Sequence, residues 1–152
     1  MTYGCQIWGQ NVHPQFAKII TLQKRAMRTI KFADFGAHSD PLFKELKVLK
    51  IQDTIKLQNC LFVHDYLNNK LPNCFDNYFE TISDIHTQCT INSTLGCLFV
   101  PHFNTTNHGI KSFTRKCINN WNFFSTLFKI KLKDISRFEL KKKISDYFIN
   151  CY

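Results

Sequence analysis

Glycine and proline are scarce in this chain, at five and four of 152 residues. So few turn formers disfavour a sandwich of many short strands and favour helices. Long hydrophobic runs are also missing. No stretch reaches the length of a membrane span, so no membrane partner is expected, and no leading apolar run forms a signal peptide. Catalytic motifs are lacking as well. There is no G-x-S-x-G, no glycine-rich phosphate loop and no H-E-x-x-H. The acids are scattered, with no adjacent pair suited to holding two metal ions. The expectation is therefore no catalytic residue, no metal and no cofactor.

Aromatics and positive charge are plentiful instead. Hydrophobic residues make up 44% of the chain and aromatics 14%, with fifteen Phe, which excludes a disordered tail. A chain of this length can close one core, so a single helical domain over 1–152 is expected. The net charge is +9 and the pI about 9.3, an excess that attracts polyanions. Seven Cys, an odd number at irregular spacings, read as reduced core thiols of an intracellular protein.

Pro14 to Phe35, PQFAKIITLQKRAMRTIKFADF, carries the cleanest helical pattern. Phe16, Ile19, Ile20, Ala26, Met27 and Ile30, with Leu22, fall within about half of a helix circumference. Lys18, Lys24, Arg25, Arg28 and Lys31 fall on the other half, and no acid lies between Lys18 and Ala33. A helix placed only for structure usually mixes signs to gain Glu–Lys pairs. This one does not, so these five cations are the candidate nucleic-acid contacts.

Further along, Asp40-Pro41 reads as a helix start with the carboxylate as cap. Asp53 is expected to cap a long helix from Thr54 to about Asn68, apolar nearly all round and hence the most buried. Phe75, Tyr78 and Phe79 suggest a short aromatic helix. From Thr81 to His108 the chain is rich in Thr, Asn and Ser and loses periodicity. Leu98-Phe99-Val100 before Pro101 reads as a short strand or an extended plug. Gly109 to about Asn120 reads as a helix ending at Trp121-Asn122. A capping box, Ser136 to Glu139, opens the last helix, with Leu140, Ile144, Tyr147, Phe148 and Cys151 on one stripe. Lys141, Lys142 and Lys143 lie on its other face. The fold class is mainly α, with about five to six helices and a long irregular segment over 81–108.

Two chemical alternatives are weaker. His86, Cys89, Cys97 and His102 form a zinc-compatible set, but their spacing matches no common finger. Cys60 and His64 share a helix face at i and i+4, which core packing explains.

Several segments together resemble one family. Tyr3-Gly4 and Ile7-Trp8-Gly9 precede Leu22-Gln23-Lys24-Arg25-Ala26-x-Arg28. Pro41-Leu42-Phe43-x-x-Leu46, Leu71-Pro72-x-x-Phe75 and Trp121-Asn122 follow. In this order they are similar to the region downstream of the polymerase core in jockey-like non-LTR retrotransposon reverse transcriptases. Two departures stand out. The stretch His86-Thr87-Gln88-Cys89-Thr90-Ile91 lacks the arginine usual there. Ser125 stands where that family's Trp-Asn-x-x-Pro has proline. The resemblance implies a non-catalytic C-terminal segment of an RNA-directed DNA polymerase. Its Tyr/Phe-x-Asp-Asp box, absent here, belongs upstream. Implied partners are RNA or DNA, bound without sequence preference, and the upstream polymerase domain. The alternative is a structural helical domain that packs on a neighbour and binds no nucleic acid.

Overall fold

Seven helices carry the described residues, with no strand among them. The computed structural model describes residues 14–85, 88–101 and 112–152. The helices are α1 (Pro14–Ile30), α2 (Asp40–Leu46), α3 (Ile51–Leu67), α4 (Ile82–Ile85), α5 (Ile91–Thr94), α6 (Phe113–Phe128) and α7 (Arg137–Cys151), with a 3-10 turn at Asn73–Phe75. The architecture is mainly α, as the composition implied. The five longer helices carry the mass, while α4 and α5 are single turns within the segment expected to be irregular. None of the helices is long and apolar enough to cross a membrane, among the described residues. Tyr3-Gly4, Ile7-Trp8-Gly9, His86, His102 and the start of the helix expected from Gly109 lie outside the described residues.

The main core forms where α3 packs on α6 and α7. Leu57, Cys60, Leu61 and Val63 of α3 meet Cys117, Ile118, Trp121 and Phe124 of α6 and Leu140, Ile144 and Phe148 of α7. Trp121 is fully buried, and its indole Nε1–H donates to the Gly96 carbonyl at 3.1 Å. The neighbouring Asn122 accepts from the Leu98 N–H at 2.7 Å and donates to the Leu98 carbonyl at 2.8 Å. Trp121-Asn122 thus pins 96–98 onto α6. Leu98 is fully buried and makes one antiparallel bridge to Thr81. The extended plug is realised, and no strand forms around it among the described residues.

The sequence placed several boundaries wrongly. The helix expected to end at Trp121-Asn122 continues to Phe128, and the chain turns only at Lys129, in the left-handed region. Ser125 explains this. A proline there would break the helix, whereas serine lets it run on. The stripe Cys117, Trp121, Phe124, Phe128 then continues at helical spacing. At α2, Asp40 is the first helical residue rather than the cap. Ser39 takes the cap position without a side-chain bond, and the Asp40 carboxylate pairs with Lys50. In α3, which starts at Ile51, Asp53 lies inside the first turn, where its carboxylate accepts from Tyr152 and pairs with Lys56. The aromatic helix at Phe75 reduces to the 3-10 turn. Its rings are absorbed in edge contacts around Phe62 and Phe79 instead. The capping box at Ser136 and Glu139 forms as expected.

Candidate nucleic-acid interface

α1 and α2 make a wing beside this core. The wing has a small cluster of its own, Ile51 and Ile55 of α3 against Phe16, Ile19 and Ile20 of α1. Met27 is buried too. The rest of the expected apolar stripe is not inside. Leu22 is 58% and Ile30 56% exposed, and Ala26 is exposed as well. The reason is geometric. Among the described residues α1 packs on the short α2 and the start of α3, and the row Leu22–Ala26–Ile30 stays exposed. α1 also stops at Ile30 rather than near Phe35, because Phe32 takes a left-handed conformation (φ 49°). Phe32 and Phe35 are left in solvent, 97% and 81% exposed.

Gln23 holds α1 in place. Its amide Nε2–H donates to the Leu49 carbonyl and its Oε1 accepts from the Ile51 N–H, both at 2.9 Å. One side chain therefore satisfies two backbone groups at the entry of α3, where the cap residue Lys50 offers none. Sequence reasoning missed this role. The only signal was a polar residue at position 23 between Ile20 and Met27, on the inward face.

The five cations divide into two groups. Lys18 and Arg25 are exposed and have no ion pair or side-chain hydrogen bond among the described residues. Lys24, Arg28 and Lys31 are half-buried and turn toward α2. The Arg28 Nε–H donates to the Ala37 carbonyl at 2.8 Å, a bond that leaves the two terminal nitrogens as further donors. Lys31 pairs with Glu45. Lys24 faces a cavity that Arg28, His38, Asp40 and Lys50 also line. So the cations do not form one fully solvated stripe. The acid partner missing from α1 is supplied by α2, once for Lys31 and once, through Asp40, near Lys24.

Lys50 is anchored from three sides. Its Nζ lies 2.8 Å from Asp40 Oδ1 and 4.2 Å from the centre of the Tyr152 ring. Its N–H donates to the Tyr152 hydroxyl at 3.0 Å, and that hydroxyl donates to Asp53 Oδ2 at 2.7 Å. The hydrogen bond from Lys50 holds the Asp40 carboxyl below the ordinary aspartate range, helped by the charges of His38 and Lys24. Burial and the bond to Asp53 push the Tyr152 hydroxyl well above the usual tyrosine value.

Elsewhere the chemistry is muted. Cys60 is buried, and burial raises its thiol well above the ordinary value, which suppresses a thiolate. His64 Nε2 lies 2.9 Å from the Ile135 carbonyl, so the ring braces the turn before α7. Of the zinc-compatible set, Cys89 is exposed and Cys97 buried, while both histidines lie outside the described residues. No group of three potential metal ligands occurs among the described residues. A larger cleft, about 1090 Å³, lies between the end of α3 and residues 131–134. Its acids Asp76, Glu80, Asp84 and Asp134 face Lys131 and Lys133, a mixture that gives a polyanion little to hold.

Comparison with known protein families, with curated proteins and with solved structures finds no match to this chain.

Proposed function

We propose that this chain is a nucleic-acid-binding helical segment that works beside a polymerase. It would correspond to the region downstream of the polymerase core in non-LTR retrotransposon reverse transcriptases. It would supply affinity for RNA or DNA and no catalysis of its own. The observation that carries this reading is the cationic side of α1: Lys18 and Arg25 exposed to solvent, with Lys24, Arg28 and Lys31 half-buried beside them. Contacts of this kind go to phosphates and read no sequence. The excess charge of +9 adds long-range attraction.

A second observation favours a neighbour-packing role. Leu22, Ile30, Phe32 and Phe35 leave a strongly apolar edge on the same wing, of a kind that marks protein contact. The two readings are compatible when the neighbour is the polymerase domain, with the apolar edge facing it and the cations facing its template.

The first reading is tested by binding of a duplex and of a single strand across a salt series. Affinity should fall with a log–log slope near −0.9 per neutralised phosphate on duplex and about −0.7 on single strands. Binding that is absent, or insensitive to salt, refutes it. The second is tested by supplying the polymerase domain in trans. Phe32→Ser with Phe35→Ser should weaken association, and an unchanged affinity rejects that edge as the contact.

A further inference from the structure

The cavity beside α1 has features that general basicity does not explain. It measures about 380 Å³, at the small end of ligand sites, which run from about 300 to 1,000 Å³. It lies between α1, the turn before α2 and the start of α3. Three permanent cations line it, Lys24, Arg28 and Lys50, against one carboxylate, Asp40; His38 completes the wall. Each element is fixed independently. Gln23 ties α1 to the start of α3. The Ala37 carbonyl orients Arg28. The Tyr152 ring supports Lys50.

We infer that this cavity is a phosphate site, seating one backbone phosphate of a nucleic-acid strand. The site rests on the cavity's own geometry; only the source of its phosphate rests on the function proposed above. Asp40 occupies the place of the anion when the site is empty. Its carboxylate accepts from Lys50 and lies within the field of Lys24 and His38. An entering phosphate would share Lys50 with that carboxylate and gain two further donors, the terminal nitrogens of Arg28 and the ammonium of Lys24. Phosphate suits Arg28 in particular, because a guanidinium held at Nε still presents a pair of nitrogens to two oxygens. The site has a distinctive sign. Removing a negative charge, Asp40, should strengthen binding, just as removing a positive one weakens it.

The test is a titration of isotope-labelled protein with three probes: inorganic phosphate, a short oligothymidylate and its neutral methylphosphonate analogue. The signals followed are the Arg28 Nε–H and the amides of Ala37, His38 and Ser39. Both charged probes should shift these signals, and the neutral analogue should not. Lys24→Gln should weaken both by roughly tenfold, the scale of one charge-assisted hydrogen bond. Asp40→Asn should tighten both severalfold. Unchanged circular dichroism in the two variants separates binding from folding. If the oligonucleotide binds without moving these signals and Lys24→Gln changes nothing, the cavity is overturned, while the function proposed above stands on Lys18 and Arg25. If phosphate binds there and the oligonucleotide does not, the site stands and the nucleic-acid reading falls. If neither charged probe binds, both are overturned.

Discussion

The core of α3, α6 and α7 buries far more of its apolar side chains than the wing of α1 and α2 does. In the core, Trp121, Leu132, Leu140 and Ile144 are fully buried, and the exposed rings of α6 and α7, Phe123 and Phe138, lie outside that packed face. In the wing, Met27 and Phe43 are inside, but Leu22, Ile30, Phe32 and Phe35 are not. The wing is held less by apolar area than by single polar ties: Gln23 to the backbone at 49 and 51, Arg28 to Ala37, Lys50 to Asp40. The core keeps the fold, whereas the wing keeps cations oriented. Regions that bind are commonly drawn from the less stable part of a molecule.

The sharpest way to break that contrast is to delete one ring from each region. Trp121→Ala should cost about 3–5 kcal/mol, since a fully buried ring and the tie to Gly96 both disappear. Phe35→Ala should stay within about 0.5 kcal/mol. Denaturant melts of the two variants check this. Similar losses would mean that Phe35 is covered in solution, and the contrast would fail.

Gln23→Ala tests the ties of the wing. Two backbone groups at the entry of α3 lose their partner, at a cost of about 1–3 kcal/mol. The loss should be local. Hydrogen exchange should accelerate over Pro14–Ile30 and leave Phe113–Phe128 protected. Uniform acceleration would show that wing and core unfold together.

The core was largely legible in the sequence, and the wing was not. Leu57, Leu61, Leu140, Ile144 and Phe148 sit where helical periodicity puts them, and the capping box at Ser136 and Glu139 is a local rule that tertiary contacts leave alone. The errors at the helix starts share a cause, which is that the carboxylate found a side-chain partner in place of the cap position. Asp40 and Asp53 look like caps, but they bind Lys50, Lys56 and Tyr152 instead. Ile30 has core periodicity, yet it is exposed, with no element packed over it among the described residues. The charge segregation of α1 was readable, but its division into free and held cations was not, because Glu45 and Ala37 come from residues outside the helix.

Tyr152→Phe should have a smaller effect, about 1 kcal/mol at neutral pH, for the missing bonds to Asp53 and from the Lys50 N–H. Its pH dependence is diagnostic. The Tyr152 pKa is raised in the folded state, so its stabilising effect is complete below the unfolded tyrosine value of about 10. That effect is lost progressively as pH rises above that value and through the folded one. The native chain should therefore lose its advantage over the Phe variant in alkali. A constant difference across that range would show that the hydroxyl is not held as described.

In the function proposed above, binding belongs to the wing and is not a general consequence of charge. α7 offers the control, since Lys141, Lys142 and Lys143 are exposed on the core side. Lys18→Glu with Arg25→Glu and Lys142→Glu with Lys143→Glu change the net charge equally. The measurement is the affinity of both double variants for one duplex across a salt series. The α1 reversal should weaken binding at every salt concentration and flatten the salt slope, by roughly 0.9 for each phosphate no longer neutralised. The α7 reversal should keep most of the slope. Equal losses in the two variants would contradict the account and leave only a diffuse positive charge.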